Sequence, residues 1–327
     1  MHLTKKHFAG IAIILAAVLF VIFLNHLPIE VSGRRVDMSP TRIINSGFMA
    51  ITVSMLLVIL LAVFAKKDYM KAQLATVKRF RHLLILMVKR DFVTRYRRSV
   101  LGVLWSMLNP LLTMVVLVIV FSFLFRFDIP NFAVYVLSGQ IIFTLFSEST
   151  SQAMNSIIAN AGMIKKVYVP KYIFPVSRVV SSVVNFCFAF AAFLLVAFVT
   201  RAPMYWTIAL IPIPVIYTFV FALGIGMLLS SMAVFFRDLQ YIYGIVISIW
   251  MFLTPIIYPV SILPERVFHL IHLNPLFHYV GYFRALALYG TVPGVWENII
   301  CIGFALFAIC AGIYTTMINQ DKFILYI

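Results

Sequence analysis

Charged residues are scarce in this sequence. Its 327 residues include 26 Lys or Arg and only 10 Asp or Glu, together 11%, where soluble domains carry about 25%. A compact core cannot hide the apolar surface that remains, so a water-soluble globule is excluded, and so is a disordered chain. Acidic residues are the scarcer sign. No pair of them sits in an outer loop of useful size, as a glycosyltransferase acting on a lipid-linked sugar would need. The three cysteines, Cys187, Cys301 and Cys310, all lie inside apolar runs, with no C-x-x-C; neither a disulfide framework nor a zinc site is indicated. The patterns G-x-x-x-x-G-K-[ST], H-E-x-x-H and G-x-S-x-G are absent, so the chain has no phosphate loop of its own and no catalytic site is expected in it. No internal repeat is visible, which weighs against a duplicated secondary transporter.

What is present is apolar. AVILMFWYC make up 63% of the chain, and the mean hydropathy is +1.05. At roughly 20 residues per crossing helix, the sequence predicts an all-α polytopic membrane protein of about eight spans. These are about Phe8–Leu27, Ser46–Ala65, Leu101–Phe125, Phe132–Ile158, Phe174–Thr200, Thr207–Phe235, Tyr241–Tyr258 and Val295–Asn319. Residues 1–65 read as an N-terminal two-span addition, 66–100 as a basic interfacial segment, and 101–327 as a six-span core. Within the core, 254–290 is apolar but cut by Pro255, Pro259, Pro264 and Pro275 into pieces too short to cross. Such pieces survive at membrane depth only when buried in protein or lining a wet cavity, so they read as outer re-entrant hairpins.

The net charge of +16 is spread in patches between apolar runs, which points to anionic lipid headgroups rather than to nucleic acid. With both termini in the cytoplasm, 19 Lys+Arg fall inside and 7 outside, the asymmetry the positive-inside rule requires. The most basic stretch is 66–100. Its Ile85, Val88, Phe92 and Tyr96 recur at helical steps, with Arg90, Thr94, Arg97 and Arg98 on the other side. That pattern predicts an amphipathic helix lying in the headgroup plane.

Polar residues within the spans carry the candidate chemistry. Gln140, Thr144, Ser147, Glu148, Ser151, Gln152 and Asn155 recur at steps of three and four, so they share one helix face. Polar groups are costly in hydrocarbon, and such a face should look into the protein or a water-filled path. It reads as the wall of a conduit for a hydroxyl-rich cargo; helix–helix bonding by Ser and Thr is the bland alternative, and Glu148 as a proton relay is another. Trp105, Asn109, Tyr243 and Trp250 are added to the conduit as polar or aromatic neighbours, although Trp and Tyr also populate ordinary membrane interfaces. Glu265, His269 and His272 fall on one face of a short helix; snorkelling polar tips are preferred there to a metal site. Gly224 and Gly226 read as close helix packing rather than phosphate binding, and Arg284 as structural or as a contact to an anionic cargo.

The run from Arg90-Asp91 through Arg95-Tyr96, Ser99, Leu101-Gly102 and Trp105 resembles the membrane subunit of type-2 ABC exporters, the permeases for O-antigen, capsule and teichoic-acid polymers. In that family R-D-x-x-x-R-Y-x-x-S-x-L-G-x-x-W joins an interfacial helix to the first core span. Lys165-Lys166 to Pro175, Phe236-Arg237-Asp238, and Thr254-Pro255 to Pro259 with Asn274-Pro275 resemble further family stretches in the same order, over about residues 78–327. The first two spans depart from the usual six-span pattern.

The resemblance implies a homodimeric permease in the bacterial cytoplasmic membrane, working with two copies of a separate ATPase that binds ATP and Mg. The cargo implied is a polysaccharide on an undecaprenyl-type lipid pyrophosphate. Arg95, Arg97 and Arg98 sit at the inner headgroup level, where guanidinium groups suit bidentate contact to pyrophosphate; plain attraction to anionic lipid is the other reading. Arg90, Asp91, Lys165, Lys166, Arg237 and Asp238 are the expected ATPase-coupling residues. A permease for a small lipid or drug, and a proton-coupled flippase, stay open as rivals.

Overall fold

The computed structural model describes residues 67–97, 99–124, 129–167, 169–264, 267 and 271–326. The two predicted N-terminal spans, Arg98, Glu265 and His269 lie outside them. All regular structure among the described residues is helical: α1 (Lys67–Tyr96), α2 (Trp105–Leu124), α3 (Phe132–Met154), α4 (Ser156–Ala159), α5 (Ala161–Ile164), α6 (Ile173–Val199), α7 (Pro212–Ala233), α8 (Leu239–Leu253), α9 (Pro275–Ala287), α10 (Val295–Asn319) and α11 (Phe323–Tyr326), with short 3-10 turns between some of them. Among the described residues five stretches are long and apolar enough to cross a membrane: Gly102–Phe121, Phe132–Met154, Ile173–Val199, Trp206–Ala233 and Val295–Asn319. The span expected over Tyr241–Tyr258 is shorter. Helix α8 ends at Leu253 after 15 residues, about 22 Å at 1.5 Å per residue, against a hydrocarbon core of about 30 Å. Thr254 is extended there and precedes Pro255, and a residue before proline disfavours helix.

The bundle is built around α3. Of its apolar window 72% is buried, against 11% for Gly102–Phe121. Leu137, Ile142 and Phe146 of α3 share one core with Phe193 of α6, Phe221 of α7, Phe283 of α9 and Ala305 of α10. Helices α7 and α10 cross almost in backbone contact. A Cβ on Gly224 would strike the Ala308 and Ile309 backbone, and one on Gly312 would strike the Gly224 carbonyl. Gly226 lies under Ala153 of α3, where a Cβ would stand 2.7 Å from the alanine Cβ. Both glycines therefore serve close packing.

The motif at the end of α1 has a local physical cause. Gly102 adopts φ +48°, a left-handed conformation that costs any residue with a Cβ. Its N–H donates to Ser99 Oγ at 3.1 Å, which closes the turn. The chain leaves α1 and enters α2 at Trp105. The packed face of α1 is offset from the predicted stripe. Among the α1 residues from Phe80 on whose side chains are described, Met87 is the most buried, at 2% exposure, while Ile85 is 57% exposed. Val88 and Phe92 turn toward α6, where Phe92 stacks near Phe188.

At the basic end of the bundle, a second apolar cluster gathers elements far apart in sequence: Met87 of α1, Ile157 of α4, Ile164 of α5, Phe174 of α6, Val234 after α7, and Phe323 of α11. At the far end, 254–257 is buried and α9 packs on α3 and α7.

The far end is held by Arg284 of α9. This arginine is 5% exposed, and among the described residues no carboxylate pairs with it. Its Nη1 donates to the Pro255 carbonyl at 2.7 Å, its Nη2 to the carbonyls of Ile256 at 2.9 Å and Tyr135 at 3.2 Å, and its Nε to Ser138 Oγ at 3.2 Å. The guanidinium also lies 3.6 Å above the Tyr135 ring centroid, a cation–π contact. Burial lowers its pKa to about 10, which leaves it charged at neutral pH. Four of the five N–H donors of this side chain are given to the protein, which supports the structural reading of Arg284 over a contact to cargo.

Candidate functional site

Helix α3 has one open strip. From Val134 to Met154 every residue is buried except Thr144, Ser147, Glu148, Ser151 and Gln152. All five are polar, and Asn155 continues the strip, exposed, at the helix end. Three and four residue steps place them on one side, and the apolar residues between them fill the core.

Two cavities open along this strip. The first, about 540 Å³, is framed by α1, α2, α3 and α6 and lined by Arg95, Tyr96, Trp105, Ser106, Asn109, Thr144, Glu148 and Asn185, among others. The second, about 510 Å³, lies nearer the basic end and is lined by Arg90, Asp91, Arg95, Gln152, Asn160, Arg178, Ser181 and Asn185, among others. Arg95 and Asn185 belong to both walls.

Glu148 is the point where they meet. Its Oε1 is ion-paired to Arg95 Nη1 and accepts from Gln152 Nε2 at 2.8 Å and Asn185 Nδ2 at 2.7 Å. Tyr96 donates to Asn185 Oδ1 at 3.1 Å and shares a hydrogen bond with Ser106. One network thus joins α1, α2, α3 and α6. Burial works against the charge on Arg95, but the carboxylate of Glu148, with help from Tyr96, outweighs it and holds the guanidinium pKa above its ordinary value. One turn back on α1, Asp91 is only 8% exposed and pairs with Arg178 of α6 at 3.1 Å and Arg90 at 3.2 Å. Arg90 also donates to Asn160 at 3.3 Å.

The predicted conduit residues divide. Trp105, Asn109, Thr144 and Glu148 line the larger cavity. Ser147 and Ser151 are half-buried on the same strip but line neither of these two cavities. Gln140 is 7% exposed, and its buried Oε1 has no hydrogen-bond partner among the described residues. Tyr243 is buried, with its hydroxyl donating to Thr150 of α3 at 2.6 Å. Trp250 donates to Asn274 at 2.8 Å and packs edge-on to Phe146. These last two tie α8 to the core. Asn185, Tyr96 and Arg178 are central to the site but were not among the predicted site residues. A signal existed: Ser177, Ser181 and Asn185 recur every fourth residue in the first half of a span whose second half is apolar.

A model of the ABC-2 type transporter family matches residues 82–288. The chain belongs to that family. An O-antigen export system permease protein of Klebsiella pneumoniae is 31% identical over 238 residues, covering 72% of this chain and 92% of its own. One from Myxococcus xanthus is 32% identical over 216 residues, covering 65% and 83%. A polysialic acid transport protein of Escherichia coli is 25% identical over 232 residues, covering 68% and 88%.

The ABC-2 match begins within α1 and ends just past α9, so it contains both cavities and the Arg284 clamp, while α10 and α11 lie beyond it. At the basic end of this ABC-2 protein, Lys165, Lys166, Arg237 and Asp238 are exposed, on turns that flank the second apolar cluster. Arg90 is exposed, but the side chain of Asp91 is only 8% exposed and pairs with Arg178. Arg97 is exposed just after α1.

Proposed function

We propose that this chain is the membrane-spanning permease of an ATP-driven exporter of a lipid-linked polysaccharide, of the O-antigen, capsule or teichoic-acid type. It acts as a homodimer with two copies of an ATPase that binds ATP and Mg, in the bacterial cytoplasmic membrane, with its basic end and both termini in the cytoplasm. The observation that carries this reading is the cavity along α3. Its lining mixes hydroxyls, amides and Trp105 with apolar side chains such as Ile141, Leu145 and Phe186, and a sugar chain, with polar edges and apolar ring faces, suits such a wall. The export permeases named above lend the polysaccharide reading, over a small lipid or drug, its further support.

In this mechanism Arg95, Arg97 and Arg98 meet the lipid pyrophosphate at the inner headgroup level. The ATPase docks on Lys165, Lys166, Arg237 and Asp238. Its push reaches the spans through the apolar cluster of Met87, Ile157, Phe174 and Val234, as rigid elements tilting together. Asp91 and Arg90 act inside this unit, bracing α1 on α6. The test uses the copurified permease–ATPase complex. Vanadate-sensitive ATP hydrolysis and polysaccharide export are expected together. Replacing Arg95, Arg97 and Arg98 by Gln is expected to cut export and leave complex assembly intact; unchanged export would dispose of the pyrophosphate entrance.

A further inference from the structure

The wall between the two cavities is made of side chains. Arg95 and Asn185 line both; Glu148 faces the larger and Gln152 the smaller. These four are joined through a single carboxylate oxygen, Glu148 Oε1. The ion pair is partly solvated, with Arg95 at 38% and Glu148 at 22% side-chain exposure. It therefore has a weaker hold than a dry pair and can be exchanged. The neighbouring Asp91–Arg178 pair is better shielded, so α1 stays fixed on α6 if Arg95 lets go.

We propose that the Arg95–Glu148 pair is a gate between the two cavities, and that a diphosphate opens it by taking Arg95 from Glu148. This rests on the reading that an anionic headgroup enters at Arg95. A diphosphate carries more charge than a carboxylate and offers several acceptor oxygens, so it competes well for a guanidinium fork. Nearby Arg90 and Arg178 share the single carboxylate of Asp91, which leaves the smaller cavity with one cation more than its acids balance. An arriving diphosphate is thus attracted to the smaller cavity first and meets Arg95 from that side. In its absence Glu148 holds Arg95 and keeps the polar path closed to ions.

The experiment uses the full permease–ATPase complex in inside-out phosphatidylcholine vesicles, with Thr144→Cys as reporter in the larger cavity. A charged, membrane-impermeant thiol reagent is added, and labelling at position 144 is followed by mass spectrometry. With the native pair, labelling is expected to be slow, and to rise several-fold on adding inorganic pyrophosphate. Glu148→Gln is expected to give fast labelling without pyrophosphate. The exchange Arg95→Glu with Glu148→Arg is expected to slow it again, which separates gating from loss of fold. Unchanged labelling in Glu148→Gln overturns the gate. A wild-type rate indifferent to pyrophosphate overturns its opening by diphosphate, as does equal acceleration by phosphatidylglycerol alone. If labelling behaves as expected while the triple Arg→Gln protein exports normally, the gate stands and the pyrophosphate entrance falls.

Discussion

Two arginines hold two ends of this molecule in opposite ways. Arg284 at the far end is buried and donates to three backbone carbonyls and one hydroxyl, with no carboxylate beside it among the described residues. Arg95 at the basic end is partly exposed and relies on one carboxylate, Glu148. A buried cation held by fixed backbone dipoles cannot leave without stranding both itself and its acceptors. A half-exposed ion pair can open into water at small cost. The first arrangement suits a fixture that pins the Pro255–Ile256 backbone to α3. The second suits a contact that can break and re-form.

The largest effect should come from removing the fixture. Arg284→Gln leaves the carbonyls of Tyr135, Pro255 and Ile256 short of donors, and each buried orphan costs about 1–3 kcal/mol. A loss of about 3 kcal/mol or more is expected, read as a drop in melting temperature and in folded yield from detergent. A fall of a degree or less would place Arg284 among the dispensable contacts and erase the contrast with Arg95.

The basic end has its own rigid part, in the backbone. Gly102→Ala puts a Cβ on a residue at φ +48° with no atom closer to it than Tyr96 O at 4.0 Å. The cost is therefore conformational, about 1–2 kcal/mol. The turn between α1 and α2 should lose order while the far end keeps its stability. Hydrogen exchange resolved over 96–105 and over 275–287 would check this, with protection expected to fall only in the first.

Charge removal at the basic end should be milder. Glu148→Gln keeps an acceptor for Asn185 and loses only the partly solvated pair, worth about 1 kcal/mol or less. Wild-type stability should also decline slightly as salt screens this pair, whereas Arg284, held by neutral dipoles, gives no such slope. Thermal unfolding of wild type, Glu148→Gln and Arg284→Gln at low and high salt separates the two. A salt slope that survives in Glu148→Gln would have to come from elsewhere.

Much of this contrast was beyond the reach of the sequence. The five described spans follow from runs of apolar residues, which need only local information. The open strip on α3 was legible because Thr144, Ser147, Glu148, Ser151 and Gln152 share one helical period, and the turn at Gly102 because motif and geometry lie within four residues. Pairings were not legible. Arg95 and Glu148 are 53 residues apart, and Arg284 and Tyr135 are 149 apart; periodicity carries no term that brings such residues together. The same holds for Tyr243 and Trp250, whose aromatic character suited a sugar wall but whose polar atoms are taken by Thr150 and Asn274. The shortness of α8 was half-visible, since Pro255 was in plain sight while the helix end at Leu253 required the break to be placed before it.

The smallest effect concerns pH, and it too distinguishes the ends. His278 of α9 lies two turns before Arg284 on the helix and its ring nitrogen bonds the His272 carbonyl at 2.8 Å. Burial lowers its pKa to about 4 from the usual 6.5. Above pH 6.5 the ring is neutral whether the chain is folded or not, so it adds no slope there. Between 6.5 and 4 the unfolded chain takes up a proton that the folded one refuses, and stability falls with falling pH. The loss is under about 1 kcal/mol at pH 6 and approaches about 3 kcal/mol only below pH 4. His278→Gln retains a donor for the carbonyl and cannot titrate. The difference in melting temperature between His278→Gln and wild type should therefore be flat above pH 7 and move in favour of the variant toward pH 5. Carboxylates elsewhere contribute equally to both proteins and cancel in that difference, so a difference that stays constant from pH 7.5 to 5 would mean that His278 is reached by protons in the folded state and that this end of the molecule is looser than its arginine clamp implies.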